Sequence, residues 1–271
     1  MSTVVAPAEA SRAGRPAGAW FPFAEHPGSD GPLLYCLPHA GGSASVFRSW
    51  FGRIGSASVR PVQLPGRETR LQEVPYDAMD LLVPDLAEAV LADLAAGRPG
   101  RPFAVYGHSL GATIAFELVR EIRRRQGPDP VHLIVSGCPA PGGGWATEGE
   151  DDPRMTGASD DEVVALLRRI GGTPEWMLTD PSVLRLILPP FRADFTVKES
   201  YRYRAEPPLT VPVTALAANG DPRGPASGMA EWKRGTTGPS TLHTLSGGHF
   251  AVLAQAEITH RHIERALRSA V

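Results

Sequence analysis

The segment around Ser109 constrains the fold of this chain more than any other feature of the sequence. A short apolar run, Phe103 to Tyr106, leads into Gly107-His108-Ser109-Leu110-Gly111, and apolar residues at helical spacing follow. The pattern Gly-x-Ser-x-Gly is a weak signal alone, because it also arises by chance in glycine-rich chains. Between a strand and a helix, it predicts a strained turn that presents the Ser109 hydroxyl at the carboxyl edge of a sheet. The alternative is a serine that only caps the helix beside a tight glycine turn.

Strand and helix patterns alternate along most of the chain. The first apolar run, Leu33 to Leu37, has no polar alternation, which is typical of a strand buried on both faces of a sheet. Strands are predicted over residues 33–37, 59–64, 103–106, 131–136, 211–217 and 241–245, with helical patterns near 43–51, 80–95, 110–125 and 250–267. This alternation predicts a mostly parallel sheet with helices on both faces, which is the α/β class.

One long stretch interrupts this alternation with helical signals alone. Within it, Ser159 and Glu162 form a capping-box pattern, and Asp180-Pro181 is typical of a second helix start. We interpret the stretch as a helical lid inserted over the carboxyl edge of the sheet. The start of the chain is rich in alanine, glycine and proline, which predicts a flexible extension. The predicted division is therefore an extension, a core in two parts and a lid, at residues 1–31, 32–141 with 206–271, and 142–205.

Charge and composition exclude several classes of protein. The 27 basic and 29 acidic residues give a net charge of −2, which argues against binding of nucleic acid. No run approaches the roughly 18 apolar residues of a membrane span, and the start of the chain lacks the apolar centre of a signal peptide. Two cysteines are too few for a disulfide scaffold, so we expect a cytoplasmic protein. We also expect a monomer that uses no cofactor and no metal ion.

A reactive serine needs a general base, and five histidines follow Ser109 in the sequence. Two of them lie in strand patterns and two on the last predicted helix. The fifth, His249, lies in Ser246-Gly247-Gly248-His249-Phe250, on a loop between the last strand and the last helix. A hydrolase of this architecture presents its base there, so His249 is the candidate. The other four are His132, His243, His260 and His262.

The base in turn needs an acid that orients it, and the acid is expected after the preceding strand. Asp221, in Asn219-Gly220-Asp221-Pro222, follows the run 211–217 and is the best candidate. An aspartate before proline can also serve only to form a turn. Asp194 and Glu199, in the helical insertion, are the rival acids.

Two backbone amides are expected to bind the oxygen that becomes negative during acyl transfer. One belongs to the residue after the nucleophile, which is Leu110, and the other to the loop after the first strand. That loop reads His39-Ala40-Gly41-Gly42, in which Ala40 is the predicted donor and Gly41 the alternative. The two glycines could instead form a simple tight turn.

The sequence resembles the stand-alone type II thioesterases that accompany polyketide and nonribosomal peptide synthases. The resemblance covers about residues 33–252. It depends on the segments Leu37-Pro38-His39-Ala40-Gly41-Gly42-Ser43-Ala44, Gln63-Leu64-Pro65-Gly66-Arg67-Glu68, Gly107-His108-Ser109-Leu110-Gly111-Ala112, Phe116-Glu117-Leu118, Arg192-Ala193-Asp194-Phe195 and Gly247-Gly248-His249-Phe250.

The resemblance implies the α/β-hydrolase fold and a catalytic triad of Ser109, His249 and Asp221. It also implies acyl or peptidyl carrier proteins as partners, whose phosphopantetheine arm would carry an acyl thioester into a channel under the lid. Two positions depart from the family pattern. Ala217-Ala218 replaces a common glycine, and Ala158-Ser159-Asp160 lacks the usual Leu-Pro.

Other functions fit the same residues. The triad alone does not separate thioesters from esters, so a carboxylesterase is one alternative, and a product-releasing cyclase of the same fold is another. A non-enzymatic carrier-binding module is the third. The arginine clusters 123–125 and 168–169 indicate either a contact with an acidic carrier protein or solvated helix ends.

Overall fold

A six-stranded parallel sheet forms the centre of the molecule. The structure is a computed structural model that describes residues 17–23, 31–142 and 154–268. The strand order is β2-β1-β3-β4-β5-β6, and every neighbouring pair is parallel. The strands are β1 (Leu33–Leu37), β2 (Ser58–Pro61), β3 (Phe103–His108), β4 (His132–Ser136), β5 (Val213–Ala218) and β6 (Ser240–Leu245). The predicted α/β class with a parallel sheet is confirmed.

Helices cover both faces of this sheet. In the described residues they are α1 (Ala17–Trp20), α2 (Met79–Ala96), α3 (Leu110–Arg124), α4 (Asp160–Ile170), α5 (Glu175–Thr179), α6 (Pro181–Ser200), α7 (Ala226–Ala230), α8 (Ala251–Ala254) and α9 (Ala256–Arg268). Short 3₁₀ helices lie at Ala44–Trp50, Glu68–Arg70 and Glu231–Gly235. No helix in these described ranges is long and apolar enough to cross a membrane.

The two faces of the sheet have separate apolar cores. Leu33 and Tyr35 of β1 pack with α2 and α3, whereas Leu34 and Cys36 face the opposite side, with α9 and the first 3₁₀ helix. All five residues of β1 are buried, which explains why this strand has no polar alternation. Because parallel strands end at the same edge, the loops after β1, β3, β5 and β6 all meet at the carboxyl edge of the sheet.

Three helices, α4 to α6, lie between β4 and β5 and have an apolar core of their own. Ser159 and Glu162 form the predicted capping box at the start of α4. Asp180 caps α6 by accepting hydrogen bonds from the amides of Ser182 and Val183, with Pro181 in the first turn. Helical structure is therefore present in the described part of the predicted lid, residues 154–205.

The prediction of a flexible extension at 1–31 is wrong for residues 17–23. Trp20 and Phe21 are buried there, and the Gln63 amide donates a hydrogen bond to the Trp20 carbonyl at 2.8 Å. The Trp20 ring stacks on Tyr76 at 6.2 Å, and Phe21 packs on Tyr35 at 5.3 Å. Burial of two aromatic side chains offsets the conformational entropy that this short segment loses. The rest of the predicted extension, residues 1–16 and 24–30, lies outside the described residues.

Candidate active site

The turn between β3 and α3 holds Ser109 in a backbone conformation that is rare for a residue with a side chain. Its φ is 57° and its ψ is −123°. The turn requires glycine at positions 107 and 111, because there is no space for a side chain at either position. A Cβ atom on Gly107 would lie 2.1 Å from the Gly111 carbonyl oxygen, and one on Gly111 would lie 2.4 Å from the Leu37 carbonyl oxygen. The predicted strand–turn–helix context of the motif is therefore present.

The structure brings Ser109, His249 and Asp221 together in one hydrogen-bonded chain. His249 Nε2 lies 3.0 Å from Ser109 Oγ, and His249 Nδ1 lies 2.9 Å from Asp221 Oδ2. The other oxygen of Asp221 accepts a hydrogen bond from the Arg223 amide at 2.9 Å. His249 and Asp221 are 8% and 4% exposed, so bulk water competes little for these hydrogen bonds. The three side chains come from the loops after β3, β6 and β5.

The rival acids have other partners. Asp194 forms a bidentate ion pair with Arg67, with distances of 2.6 and 2.8 Å. Glu199 accepts a hydrogen bond from the Met155 amide at 2.9 Å. Neither contacts His249, so of the three carboxylates only Asp221 is placed to orient that ring.

The remaining histidines after Ser109 lie away from this chain of hydrogen bonds. His132 lies 2.9 Å from the Thr214 hydroxyl, inside the sheet. His260 packs on Trp50 at 5.0 Å, and His243 stacks on His262 at 4.0 Å. In the parts of the chain that the structure describes, no group of three or more potential ligand side chains could hold a metal ion.

The loop after β1 brings Ala40 to the same cavity as Ser109 and Leu110. The Gly41 amide, the alternative donor, is already hydrogen-bonded to Asp194 Oδ2 at 2.7 Å. The Ala40 and Leu110 amides donate no hydrogen bond to any group within the described residues. Both amides are thus available to a substrate oxygen, whereas the Gly41 amide is not.

Two further histidines, His108 and His39, belong to the same cluster of rings as His249. The sequence alone assigns neither of them a role. The His108 ring lies 4.9 Å from the His249 ring, and the His39 ring lies 5.9 Å from His108. Burial, with smaller contributions from His249 and Arg67, lowers the pKa of His39 to about 3. Burial likewise holds the pKa of His108 well below its ordinary value. Both rings are therefore neutral near pH 7 and add no positive charge beside His249.

The signal for these two histidines was their position in the sequence. His39 precedes Ala40 and His108 precedes Ser109, so each lies directly before a predicted site residue. Phe250 completes the cluster, with its ring 4.8 Å from His39 and 5.1 Å from His249. The rings of His108 and Phe250 pack on His249 and restrict the orientations open to its ring.

A cavity of about 240 Å³ is lined by Ser109 and by the helices between β4 and β5. Its apolar walls come largely from α4, α5 and α6, with further contacts from the loops of the sheet edge. The residues contributed by these helices are Leu167, Ile170, Met177, Ile187, Phe191, Phe195 and Lys198. A mostly apolar cavity that is also lined by the Ser109 hydroxyl suits a ligand with an acyl chain.

Comparisons with known proteins show which family this chain belongs to. A family model described as Thioesterase domain matches residues 32–267. Thioesterase PikA5 of Streptomyces venezuelae is 40% identical over 228 residues, which are 83% of this chain and 77% of that protein.

Solved structures of type II thioesterases are similar as well. BorB, from the borrelidin biosynthetic cluster, is 36% identical with a TM-score of 0.75, covering 94% of this chain and 96% of its own. YbtT, from the yersiniabactin pathway of combined nonribosomal peptide and polyketide synthesis, is 30% identical with a TM-score of 0.75, covering 90% and 96%. The resemblance to type II thioesterases is thereby confirmed. The chain belongs to the thioesterase domain family, and it is a thioesterase of the α/β-hydrolase fold.

Proposed function

We propose that this enzyme hydrolyses acyl thioesters carried on the phosphopantetheine arm of acyl or peptidyl carrier proteins, with Ser109 as its nucleophile. The observation that carries the proposal is the row of hydrogen bonds from Ser109 through His249 to Asp221, in which Ser109 and His249 line a mostly apolar cavity. The similar proteins BorB and YbtT are type II thioesterases of biosynthetic clusters, which supports a role in polyketide or nonribosomal peptide synthesis.

In the first half of the reaction, Ser109 Oγ attacks the thioester carbonyl while His249 Nε2 takes the hydroxyl proton. Asp221 accepts a hydrogen bond from Nδ1–H and stabilises the charged ring that forms. The Ala40 and Leu110 amides donate to the carbonyl oxygen as it becomes negative. The carbon–sulfur bond breaks, the proton passes from His249 to the sulfur, and a free thiol departs. Because ordinary thiols have a pKa near 8.5, this leaving group needs little assistance.

In the second half, a water molecule hydrolyses the acyl-enzyme. His249 removes a proton from the water, the oxygen attacks the ester carbonyl, and the same two amides hold the negative oxygen. The bond to Ser109 Oγ breaks, the proton returns to that oxygen, and a carboxylic acid leaves. These steps use only water, side chains and backbone amides of this protein. The proposed mechanism therefore involves no cofactor and no metal ion.

The apolar walls of the cavity support an editing role. An apolar channel distinguishes acyl chains by about 1–3 kcal/mol per methylene, which gives only moderate selectivity. Such an enzyme accepts many short acyl groups and can clear wrong or stalled ones from carrier proteins. We therefore propose the clearing of carrier proteins as the biological role.

We do not propose the arginine cluster at the end of α3, residues 123–125, as a contact for the carrier protein. Arg123 and Arg124 pair with Glu206 at 3.0 and 2.6 Å, and Arg125 pairs with Glu121 at 2.8 Å. These pairs neutralise much of the charge of the cluster within the chain, which favours the interpretation as a salt-bridged helix end. The cytoplasmic location and the monomeric state stay predictions.

The proposal is tested by incubating the enzyme with a panel of acyl-loaded carrier proteins and following each by intact mass. We expect conversion to free-thiol carrier together with a linear carboxylic acid, at rates above those for matched oxyesters of the same acyl groups. Faster oxyester hydrolysis would indicate a carboxylesterase, a cyclic product would indicate a cyclase, and unchanged carrier would indicate a binding module. Ser109→Ala is the control and should abolish turnover without loss of folding.

A further inference from the structure

A buried ion pair connects the lid helix α6 to the loop that carries the Ala40 amide. Arg67, 5% exposed, and Asp194, 3% exposed, meet through two hydrogen bonds of 2.6 and 2.8 Å. Asp194 belongs to α6, and Arg67 follows β2 along the chain. The same two side chains also hold the loop after β1. Asp194 Oδ2 accepts from the Gly41 amide at 2.7 Å, and Arg67 Nη1 donates to the Gly42 carbonyl at 3.0 Å.

These contacts fix successive peptide planes of the loop. The Gly42 amide donates to the His39 carbonyl at 2.9 Å, which sets the plane between His39 and Ala40. In a trans peptide the N–H points away from the C=O, so this bond also sets the direction of the Ala40 N–H. Asp194 holds the next plane, between Ala40 and Gly41, because it accepts a hydrogen bond from the Gly41 amide. Arg67 holds the plane that begins at the Gly42 carbonyl, because it donates a hydrogen bond to that oxygen.

The backbone of the loop would not hold this shape by itself. Gly41 has a φ of +74°, a conformation that glycine leaves easily in solution. Phe191, one turn before Asp194 on α6, packs so closely that a Cβ atom on Gly41 would lie 3.0 Å from its ring. Helix α6 therefore contacts Gly41 through both an ionic and an aromatic side chain, which are three residues apart on one helix face.

Gln63 fixes the Arg67 side of this arrangement. Its side chain is fully buried, its Oε1 accepts from the Ala44 amide at 2.9 Å and its Nε2 donates to the Arg67 carbonyl at 3.1 Å. One glutamine thus ties the segment that ends at Arg67 to the segment that follows Gly42. This gives a physical reason for the Gln63-Leu64-Pro65-Gly66-Arg67 motif, to which the sequence had assigned no role.

We propose that Asp194 and Arg67 are positioning residues, which aim the Ala40 amide at the negative oxygen of the transition state. An amide that is aimed in advance needs no reorganisation during the reaction, and each such donor contributes strongly to the rate. Because Asp194 lies on α6, the amide is correctly aimed only while this helix is docked on the loop. This inference rests on the proposed roles of Ser109 and Ala40.

The test compares Asp194→Ala, Asp194→Asn and Glu117→Ala with the parent enzyme. Asp194→Ala should lower kcat roughly 100-fold at unchanged KM, since the Ala40 amide that Asp194 positions stabilises the transition state and not the bound substrate. Asp194→Asn keeps an acceptor for the Gly41 amide but loses the charged partner of Arg67, so we expect a loss of about tenfold. The Ki of an alkylboronic acid, whose adduct with serine places an oxygen between the same amides, should rise in parallel with the fall in kcat.

Glu117→Ala is the matched control, because it breaks another buried ion pair, with Arg120 at 2.6 Å, that lies outside the loop. It should lower the melting temperature and leave kcat and the boronic acid Ki unchanged. Parent kcat in either folded Asp194 variant, an equal loss in Glu117→Ala, or a raised KM with unchanged kcat would overturn the inference. If Asp194→Ala does not fold, Asp194→Asn decides. Ser109→Ala separates a failure of the proposed function from a failure of the positioning role, because activity in that variant would contradict Ser109 as the nucleophile.

Discussion

At the scale of single residues, the candidate site depends on a strained serine and two glycines beside it. The Ser109 backbone, at φ 57° and ψ −123°, costs on the order of 1–3 kcal/mol relative to an ordinary conformation. The surrounding chain holds it there because the loop after β1 and the first turn of α3 pack against each other without side chains between them. This strained turn places Ser109 Oγ 3.0 Å from His249 Nε2.

Gly111→Ala tests this close packing. The added Cβ would lie 2.4 and 2.5 Å from the carbonyl oxygens of Leu37 and Pro38, so backbone must move. We expect the free energy of unfolding to fall by about 1–3 kcal/mol or more, and kcat/KM to fall with it, because the loop of Ala40 shifts. Chemical denaturation and thioester hydrolysis measure the two effects.

Gly97→Ala is the control for that experiment, since its Cβ would meet only ordinary contacts of 3.5 Å and more. It should change neither stability nor activity appreciably. A Gly111→Ala enzyme with parent stability and parent activity would contradict the packing argument.

The sequence was sufficient to predict that Ser109, His249 and Asp221 lie together, because each follows a strand at the same sheet edge. It favoured Ala40 as the amide donor but could not exclude Gly41, because that exclusion depends on the contact between Gly41 and Asp194, which lie 153 positions apart. The roles of His39 and His108 were missed for a related reason. Their low pKa values come from burial in the folded protein, which no local pattern reports.

At the scale of secondary structure elements, strands buried on both faces were the most predictable, because their composition reflects the sheet directly. The sequence predicted an ordinary helix near 43–51, but a 3₁₀ helix forms at Ala44–Trp50. The last helix is divided into α8 and α9 at Gln255. Phe47, Trp50 and Val252 belong to the apolar core on one face of the sheet, and such tertiary contacts, which can override local propensity, are not visible in the order of residues.

Helix α4 offers a test of the acyl cavity at this scale. Ile170 lines the cavity near the end of α4, so Ile170→Trp should fill part of it. We expect kcat/KM for long acyl chains to fall about 10- to 200-fold, with acetyl and propionyl thioesters much less affected. Steady-state kinetics over a series of chain lengths on one carrier protein measure this change.

The matched control is Ala165→Trp, which adds the same side chain on the exposed face of the same helix. Its chain-length profile should equal that of the parent. If both variants, or neither, alter the profile, then the wall formed by α4 does not select the acyl chain.

At the scale of the whole molecule, buried neutral histidines link stability to pH. Burial lowers the pKa of His132, which lies in β4, to about 4, whereas the unfolded chain has the ordinary value of 6.5. Between these values the unfolded state binds more protons than the folded state. The free energy of unfolding must therefore decrease as the pH falls from 6.5 towards 4, by up to about 1.4 kcal/mol per pH unit for each such group.

His132→Gln removes one of these groups, so its stability should decrease less steeply with falling pH than that of the parent. Urea denaturation at pH 6.0, 5.5 and 5.0 measures the slope, which should be smaller by up to about 1.4 kcal/mol per pH unit. Leu133→Val, which weakens the same strand without removal of a titrating group, should keep the parent slope. Equal slopes for the parent and His132→Gln would show that His132 does not titrate as proposed.

The most direct test of the central claim is the detection of an acyl group on Ser109. The enzyme is mixed with an acyl-carrier thioester, quenched within milliseconds to seconds, and examined by intact mass and peptide mapping. We expect a mass increase of one acyl group on the peptide that contains Ser109, which decays as free acid forms and is absent in Ser109→Ala. An acyl group on another residue, or parent turnover in Ser109→Ala, would contradict it.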